Sequence, residues 1–249
     1  MQILEKLQRP LGILLAVMSL TLVMAPAPTK AAQAQSHIFK LYIKGIKAGT
    51  ISTTAKKNAT GYSLSGAIKP SIFLRLLRDV GYVGKASGNY SGASYSPGKY
   101  TGHTKTGSRT STVKMRFTKG KPIVDAYLPS RAKRGYDINP AAQKGTLDLL
   151  TAAHSVFEDS AAKDLCNRII AMFDGRRRSK LTLSKPKKSG SRATCSGKYT
   201  RIAGFSPHDM QKRVNFPFSL VYEQQNDGNY RLMSFHTQTT FGNAKAVRK

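Results

Sequence analysis

Short segments rich in threonine, tyrosine, valine, isoleucine and phenylalanine recur along most of the chain, about every ten residues. Segments of this kind, separated by turns that contain glycine, are typical of β-strands. The predicted strands begin near His37, Ile46, Gly61, Tyr82, Lys99, Thr112, Ile123, Arg168, Arg177, Ala193, Asn215, Tyr230 and Thr239. Their regular spacing favours a meander of neighbouring strands.

Two of these segments alternate between apolar and polar residues most clearly. The first has His37, Phe39, Leu41 and Ile43 against Lys40 and Lys44, and the second has Phe216, Phe218, Leu220 and Tyr222. A period of two predicts strands with one face in the core and the other in water. The dipeptides Asp174-Gly175 and Asp227-Gly228 predict hairpin turns, because both central residues of that turn type prefer a positive φ.

Two other segments carry apolar residues at helical spacing. The first begins at Pro70 and ends at Gly81, and its apolar stripe comprises Ile72, Phe73, Leu76 and Val80. The second runs from about Thr146 to Phe157, and its apolar face comprises Leu149, Ala153, Val156 and Phe157. Thr146 is a suitable cap and Asp148 suits the positive end of this second helix, which we expect to pack on the sheet.

Seven of the eleven tyrosines follow a glycine by one or two positions. They are Tyr62, Tyr82, Tyr90, Tyr100, Tyr136, Tyr199 and Tyr230. We interpret the pairing as packing in which an aromatic ring covers a neighbouring glycine of the sheet. Stacking of sugars or bases on these rings is the alternative, although the spacing matches no RNA-binding signature.

The N-terminus has the three parts of a secretory signal. Lys6 and Arg9 precede an apolar run from Leu11 to Val23, and small residues follow up to Ala34. The thirteen residues of this run are fewer than the ~20 that a membrane span needs, so an uncleaved anchor is the weaker alternative. We predict a signal peptide over residues 1–34 and a single β-rich periplasmic domain over residues 35–249, with no transmembrane segment in the latter.

The chain is strongly basic. Its 41 lysines and arginines against 12 acidic residues give a formal charge of +29, and residues 35–249 retain 38 against 11, or +27. A charge of this size predicts an anionic partner. Nucleic acid is not an expected partner, because the signal peptide directs the protein out of the cytoplasm.

The chain contains two cysteines, Cys166 and Cys195. An even pair in an exported protein predicts one disulfide, with two buried free thiols as the alternative. Neither cysteine belongs to a CxxC unit, which argues against redox and zinc chemistry, and we predict no metal site.

Enzyme signatures are missing from the sequence. There is no GxSxG, phosphate-binding loop, HExxH or glycine-rich dinucleotide turn. His154 lies on an apolar helix face, where a hydrogen-bonded core histidine is the more common case. Glu158 and Asp174 are conceivable as paired carboxylates for sugar chemistry, but a hairpin turn accounts better for Asp174. We therefore predict a non-enzymatic protein with no catalytic residue and no cofactor.

The candidate ligand-binding residues are Arg176, Arg177 and Arg178, which open a predicted strand. Alternation places Arg177 on the same face as Leu181 and predicts that it points inward. An inward arginine is a plausible bidentate clamp for phosphate or carboxylate, whereas the alternative is a side chain whose head stays in water. Lys185, Lys187 and Lys188 are interpreted as a solvated loop that adds long-range attraction.

The segments Leu165–Arg178 and Cys195–Phe205 resemble a proteobacterial envelope family, the domain-of-unknown-function family 3108. The resemblance extends to the early glycine- and tyrosine-rich strands, to Leu147–Leu150 and to Thr239–Gly242. It implies an exported, periplasmic protein with a curved or spiral antiparallel sheet similar to that of lipoprotein carriers. It implies no functional residues.

We therefore expect a mainly β protein in which a single curved antiparallel sheet, or half-barrel, wraps one or two helices. The predicted role is to bind an anionic component of the cell envelope, lipid or polymer, and to support envelope integrity. The alternatives are an enzyme that acts on cell-wall glycan and a periplasmic scaffold that binds proteins.

Overall fold

The computed structural model of the protein describes residues 33–77, 79–239 and 241–249. Fourteen strands in these residues form one antiparallel sheet, which confirms the predicted mainly β class. The strands are β1 (Gln33–Ile43), β2 (Ile46–Lys57), β3 (Gly61–Pro70), β4 (Val80–Ser91), β5 (Ser94–Thr106), β6 (Arg109–Thr118), β7 (Lys121–Leu128), β8 (Arg168–Phe173), β9 (Arg178–Leu183), β10 (Lys187–Ser189), β11 (Arg192–Ala203), β12 (Asn215–Gln224), β13 (Tyr230–Thr239) and β14 (Gly242–Arg248).

The sheet consists of two meanders joined through β1 and β14. Its order is β7-β6-β5-β4-β3-β2-β1-β14-β13-β12-β11-β9-β8, and the short β10 pairs with the start of β11. Each predicted strand has a counterpart, although four starts differ by three to five residues. The starts are Gln33 rather than His37 for β1, Ser94 rather than Lys99 for β5, Arg109 rather than Thr112 for β6, and Gly242 rather than Thr239 for β14. The sequence interpretation missed β10, because three exposed residues show no alternation.

The predicted signal peptide, residues 1–34, lies outside the described residues except for its last two. Gln33 and Ala34 begin β1, where they pair with Lys57 and Lys56 of β2. Cleavage after Ala34 therefore stays a prediction.

Helix α2 (Leu149–Phe157) lies in the connection between β7 and β8 and packs on the inner face of the sheet. Asp148, and not Thr146, caps it: one carboxylate oxygen of Asp148 accepts hydrogen bonds from the backbone N–H groups of Leu150 and Thr151. Two further helical segments, a 3₁₀ turn (Pro140–Ala142) and α3 (Pro207–Lys212), were not indicated by the sequence. No helix in the described ranges is both long and apolar enough to cross a membrane.

Helix α1 (Ile72–Leu77) is shorter than predicted, because Pro70 ends β3 and Val80 starts β4. Three residues of its apolar stripe, Ile72, Phe73 and Leu76, are exposed. Ile72 and Leu76 are 79% and 83% exposed, whereas Leu74 is buried. Residues four apart share one face of a helix, so the burial of Leu74 turns the other two side chains toward solvent.

The core divides into two clusters on the inner face of the sheet. The cluster of the N-terminal strands contains Ala55, Tyr62, Leu64, Ala86, Tyr95, Tyr100, Val113, Met115, Leu150 and Phe173. The other is built mainly from β8 to β14 and includes Cys166, Cys195, Leu220, Tyr222 and Leu232. Gly66 lets α2 approach, because a Cβ there would lie 2.5 Å from a methyl group of Leu150.

Tyrosine rings cover glycines of the sheet, as the sequence interpretation expects. A Cβ at Gly84 would lie 2.1 Å from the hydroxyl of Tyr82, and one at Gly102 would lie 2.3 Å from the hydroxyl of Tyr100. In both cases the covered glycine follows the tyrosine by two residues on the same strand instead of preceding it. Residues two apart share one face of a strand, which allows the ring to lie along its own backbone.

Candidate functional site

Basic side chains cluster on the face of the sheet that points away from α2. The register places two neighbouring rows across β2 to β6 on this face. One row is Lys56, Ser63, Ser87, Lys99 and Arg116, and the other is Thr54, Ser65, Lys85, Thr101 and Lys114. We call the five exposed basic residues of these rows, Lys56, Lys85, Lys99, Lys114 and Arg116, the basic groove.

The groove follows a depression in the sheet surface. A hollow of about 500 Å³ lies among Lys56, Lys85 and Lys99 and is also lined by the hydroxyl-bearing residues Thr54, Ser63, Ser65, Ser87 and Thr101. A second hollow of about 790 Å³ shares Lys56 and Lys99 with it and extends to Arg116. Ammonium groups donate hydrogen bonds to anionic oxygens, and hydroxyls donate or accept, so the lining suits a ligand that carries both charges and hydroxyls.

A β-bulge shapes this region. The register of β4 and β5 shifts between Ser87 and Gly88, and a bulge of this kind bends the strand and increases its twist. A Cβ at Gly88 would lie 2.3 Å from the carbonyl oxygen of Ser96, so only glycine allows this approach of the two strands. The second hollow of the groove is lined by both Gly88 and Gly98.

The charge of the groove is almost uncompensated. Strands β2 to β6 contain ten lysines and arginines and no aspartate or glutamate. Arg116 pairs with Asp125 of β7, at 2.9 Å, but no described carboxylate lies within ion-pair distance of the four lysines. Lys57 points to the opposite face, where it pairs with Glu158. The groove is therefore a surface of positive potential.

The three predicted ligand-binding arginines lie apart from this groove, at the turn between β8 and β9. Arg176 stacks on Tyr127, with 3.5 Å between its guanidinium carbon and the ring centre, and donates a hydrogen bond to the carbonyl of Pro129. Arg178 donates a hydrogen bond to the side chain of Gln143. Each arginine has different neighbours, so the three do not converge on one point. Their role in ligand binding stays a prediction.

The prediction that Arg177 points inward was wrong. Arg177 belongs to the turn and is exposed, with its guanidinium carbon 5.4 Å from the ring centre of Phe205. Alternation does not apply to it, because β9 begins one residue later, at Arg178. The loop is four residues long and is organised by Asp174, whose carboxylate accepts the backbone N–H groups of Arg176 and Arg177. The predicted hairpin is present, but the two-residue turn is not.

The predicted disulfide is present. Cys166, in the loop before β8, is bonded to Cys195 on β11, with 6.1 Å between the Cα atoms. Both sulfurs belong to residues buried in the second core cluster. Because β9 lies between β8 and β11 in the sheet, the bond ties the edge of the sheet to a strand two positions further in.

Two histidines are buried where α2 meets β1. His154 is completely buried, and neither of its ring nitrogens has a hydrogen-bond partner, contrary to the hydrogen-bonded histidine that we predict from sequence. His37, on β1, pairs through Nδ1 with Arg248 at 2.9 Å. The two rings are 6.3 Å apart. Burial lowers the pKa of both histidines to about 4, so both are neutral at pH 7.

The interior carboxylates have separate structural partners. Glu158 pairs with Lys57 and accepts a hydrogen bond of 2.6 Å from the Tyr95 hydroxyl. Asp174 holds the β8–β9 turn, and burial raises its pKa. Asp148 caps α2, and its complete burial raises its pKa to about 6. Glu158 and Asp174, the two carboxylates considered for sugar chemistry, thus serve different parts of the fold.

Sequence interpretation missed the basic groove, although two signals point to it. One is the absence of acidic residues from the five consecutive strands β2 to β6. The other is the alternation that places Lys56 and Lys57 on opposite faces of β2. The three consecutive arginines attracted attention because they are adjacent in sequence, whereas the groove residues come from β2, β4, β5 and β6 and meet only through strand pairing.

The fourteen strands form one antiparallel sheet, and helix α2 packs across its inner face. A crystal structure titled as a beta-barrel-like protein of domain of unknown function DUF1849, from Brucella abortus, has the same fold. The TM-score is 0.51 at 9% identity, with 89% of this chain and 97% of that chain covered.

The family model described as "Protein of unknown function (DUF3108)" matches residues 38–228, and the chain belongs to this family. The match confirms the predicted domain-of-unknown-function family 3108, while the exported, periplasmic nature that the resemblance implies stays a prediction. No curated protein matches the chain in sequence.

Proposed function

We propose that the protein is a non-enzymatic periplasmic protein that binds an anionic polymer of the cell envelope in the basic groove and so supports envelope integrity. The observation that carries this proposal is the arrangement of the groove. Five exposed basic side chains and five hydroxyl-bearing residues form two adjacent rows on strands that contain no acidic residue.

The length of the groove favours a polymer. Lys56 on β2 and Arg116 on β6 are four strand positions apart, or roughly 19 Å at the usual spacing of strands. One phosphate or carboxylate cannot contact both ends, whereas a chain with repeated negative charges can. The hydroxyl-bearing residues between the basic ones match the hydroxyl groups of a polysaccharide. These two rows contain no large apolar side chain that would contact the acyl chain of a lipid.

The proposal is tested by the double variant Lys85→Gln/Lys99→Gln. The probe is polygalacturonate, a polymer of a uronic acid, and vesicles of phosphatidylglycerol form a separate arm. We expect the affinity for the polymer to fall on the order of tenfold, because two exposed charge contacts contribute up to about 1 kcal/mol each. Binding of the unaltered protein should also weaken steeply between 0.1 M and 1 M salt, because the Debye length shortens from about 10 Å to about 3 Å.

The matched control is Lys187→Gln/Lys188→Gln, which removes the same charge from the exposed strand β10. We expect the affinity of this variant for the polymer to fall less than twofold. If the two double variants lose the same affinity for the polymer, the protein attracts the polymer through its overall charge, and the groove is not the binding site. If the unaltered protein binds vesicles but no polymer, and Lys85→Gln/Lys99→Gln loses the vesicle binding, the ligand of the groove is a lipid. Equal binding to uncharged dextran would refute an anionic ligand.

A further inference from the structure

Exposed apolar side chains gather at one end of the sheet. Five of the large apolar residues that the structure places in solvent lie there, and we call them the apolar rim. They are Ile46, Ile72, Phe73, Leu76 and Phe241. Ile72 and Leu76 lie one helical turn apart on the solvent face of α1. Scattered exposed apolar residues are normal on a protein, but a cluster of this kind marks an interaction surface.

The rim belongs to neighbouring turns of the sheet. Ile46 follows the β1–β2 turn, α1 connects β3 to β4, and Phe241 lies between β13 and β14. Backbone hydrogen bonds hold these turns together. The N–H of Lys44 donates to the carbonyl of Asn243 at 2.9 Å, and the N–H of Ser71 donates to the carbonyl of Ala48 at 2.8 Å. The rim is therefore one surface and not a set of separate loops.

Exposed basic residues surround the rim. They are Lys44, Lys47, Lys69, Arg75 and Arg109, and none forms an ion pair with a described carboxylate. Asp79, which follows α1, pairs with Lys105 at 2.5 Å. Its backbone carbonyl accepts a hydrogen bond of 2.6 Å from Gly107, which joins the β5–β6 turn to the same end of the sheet. The rim thus combines apolar tips with a positive border.

We propose that the apolar rim docks on the surface of an anionic lipid bilayer, with Ile72 and Leu76 inserted at the level of the headgroups. Apolar side chains bordered by cations bind such a surface through apolar burial and through attraction to anionic headgroups. A second copy of the chain fits less well, because each copy carries +27 on residues 35–249 and the two borders would repel. The rim is separate from the basic groove, so this proposal goes beyond polymer binding.

The chain contains no tryptophan, so a single introduced tryptophan reports on its own surroundings. We place it in the rim with Leu76→Trp and, as the matched control, at another exposed apolar position with Ile169→Trp. The probes are vesicles of phosphatidylglycerol and of phosphatidylcholine, each with and without brominated acyl chains. We expect the L76W emission to shift to shorter wavelength and to be quenched with anionic vesicles only, while the I169W emission stays unchanged.

Vesicle sedimentation measures the contribution of the rim. We expect Ile72→Ser/Leu76→Ser to lower partitioning into phosphatidylglycerol vesicles about tenfold, because most of two apolar side chains leaves the interface. The control Ile169→Ser/Ile202→Ser should change it less than twofold. Similar losses in both pairs, or an unshifted L76W emission, would overturn the proposal, and a shift caused by a protein partner in the absence of lipid would replace it.

These experiments test the groove proposal and the rim proposal independently of each other. Lys85→Gln/Lys99→Gln, made in the L76W background, should lose polymer binding and keep the quenching by brominated phosphatidylglycerol. Loss of quenching in that variant would contradict a separate membrane surface. Intact quenching in a protein that binds no polymer would leave the rim proposal standing and refute the groove.

Discussion

The two parts of the sheet stabilise themselves in different ways. Strands β2 to β7, the first half, bury Tyr62, Tyr95 and Tyr100, and two tyrosine rings cover glycines of their own strands. Strands β8 to β14, the second half, bury mainly aliphatic side chains and the Cys166–Cys195 disulfide. The first half is thus distinguished by tyrosine rings that lie on glycines of their own strands, and the second half by a covalent bond.

The difference extends to the outer surface. Buried tyrosine hydroxyls need partners, and in the first half Tyr62 pairs with Thr151 of α2 at 3.0 Å and Tyr95 with Glu158 at 2.6 Å. These contacts attach α2 to the inner face of the first half. The outer face of that half carries the four lysines of the basic groove, which form no ion pair with a described carboxylate. The comparison teaches that the half held by interior tyrosines is the one that carries the basic groove.

The largest expected effect concerns the second half. Replacing both cysteines, Cys166→Ala/Cys195→Ala, should lower the free energy of unfolding by about 3–4 kcal/mol, because the bond closes a separation of 29 residues. Denaturant titration measures the loss, and hydrogen exchange locates it. We expect the amides of β8, β9 and β11 to lose more protection than those of β3 and β4. Uniform loss across the sheet would mean that the two halves are not distinct.

The next effect concerns the first half. Gly102→Ala should lower the free energy of unfolding by about 1–3 kcal/mol. The added Cβ would lie 2.3 Å from the hydroxyl of the buried Tyr100, and the ring has little room to move. The displacement would also disturb the 3.2 Å hydrogen bond between Tyr82 and Tyr100. Gly81→Ala is the control, since a Cβ there meets only the carbonyl of Ile68 at 3.8 Å. Equal stabilities of the two variants would show that glycine packing does not hold this half together.

The smallest effect is at the junction of the halves. Because the pKa of His154 is about 4 in the folded protein and 6.5 unfolded, the unfolded chain binds the proton first as the pH falls. The stability that depends on neutral His154 is therefore fully present above about pH 6.5 and is lost as the pH falls toward 4. At pH 5.5 the loss due to His154 is about 1 kcal/mol.

The variant His154→Leu measures this loss. The groups that face His154 are Lys57 of β2, Glu158 at the end of α2, Tyr95 of β5 and His37 of β1. All of them stay in the variant, so its unfolding free energy should fall less between pH 7.5 and pH 5.5 than that of the unaltered protein. Parallel pH profiles would show that His154 is not protonated on unfolding.

The sequence alone determined the strands, their approximate starts and the disulfide. Alternation with a period of two is a local property, so His37 to Ile43 and Phe216 to Tyr222 indicate their strands without knowledge of their partners. The sequence also predicted helix α2. Its N-cap is Asp148 and not Thr146, so the predicted cap was wrong by two residues. The overall charge and the presence of two cysteines likewise needed no tertiary information.

Only the tertiary structure decided which side chains share a surface. Strand pairing brings Lys56, Lys85 and Lys99 together across four strands, although 43 residues separate the first from the last. The exposure of Ile72 and Leu76 follows from the burial of Leu74, and helical periodicity does not state which face of a short helix meets the core. Arg177 faces solvent because the turn continues to that residue. The strand pairing that groups the lysines is long-range, and a pattern read along the chain contains no record of it.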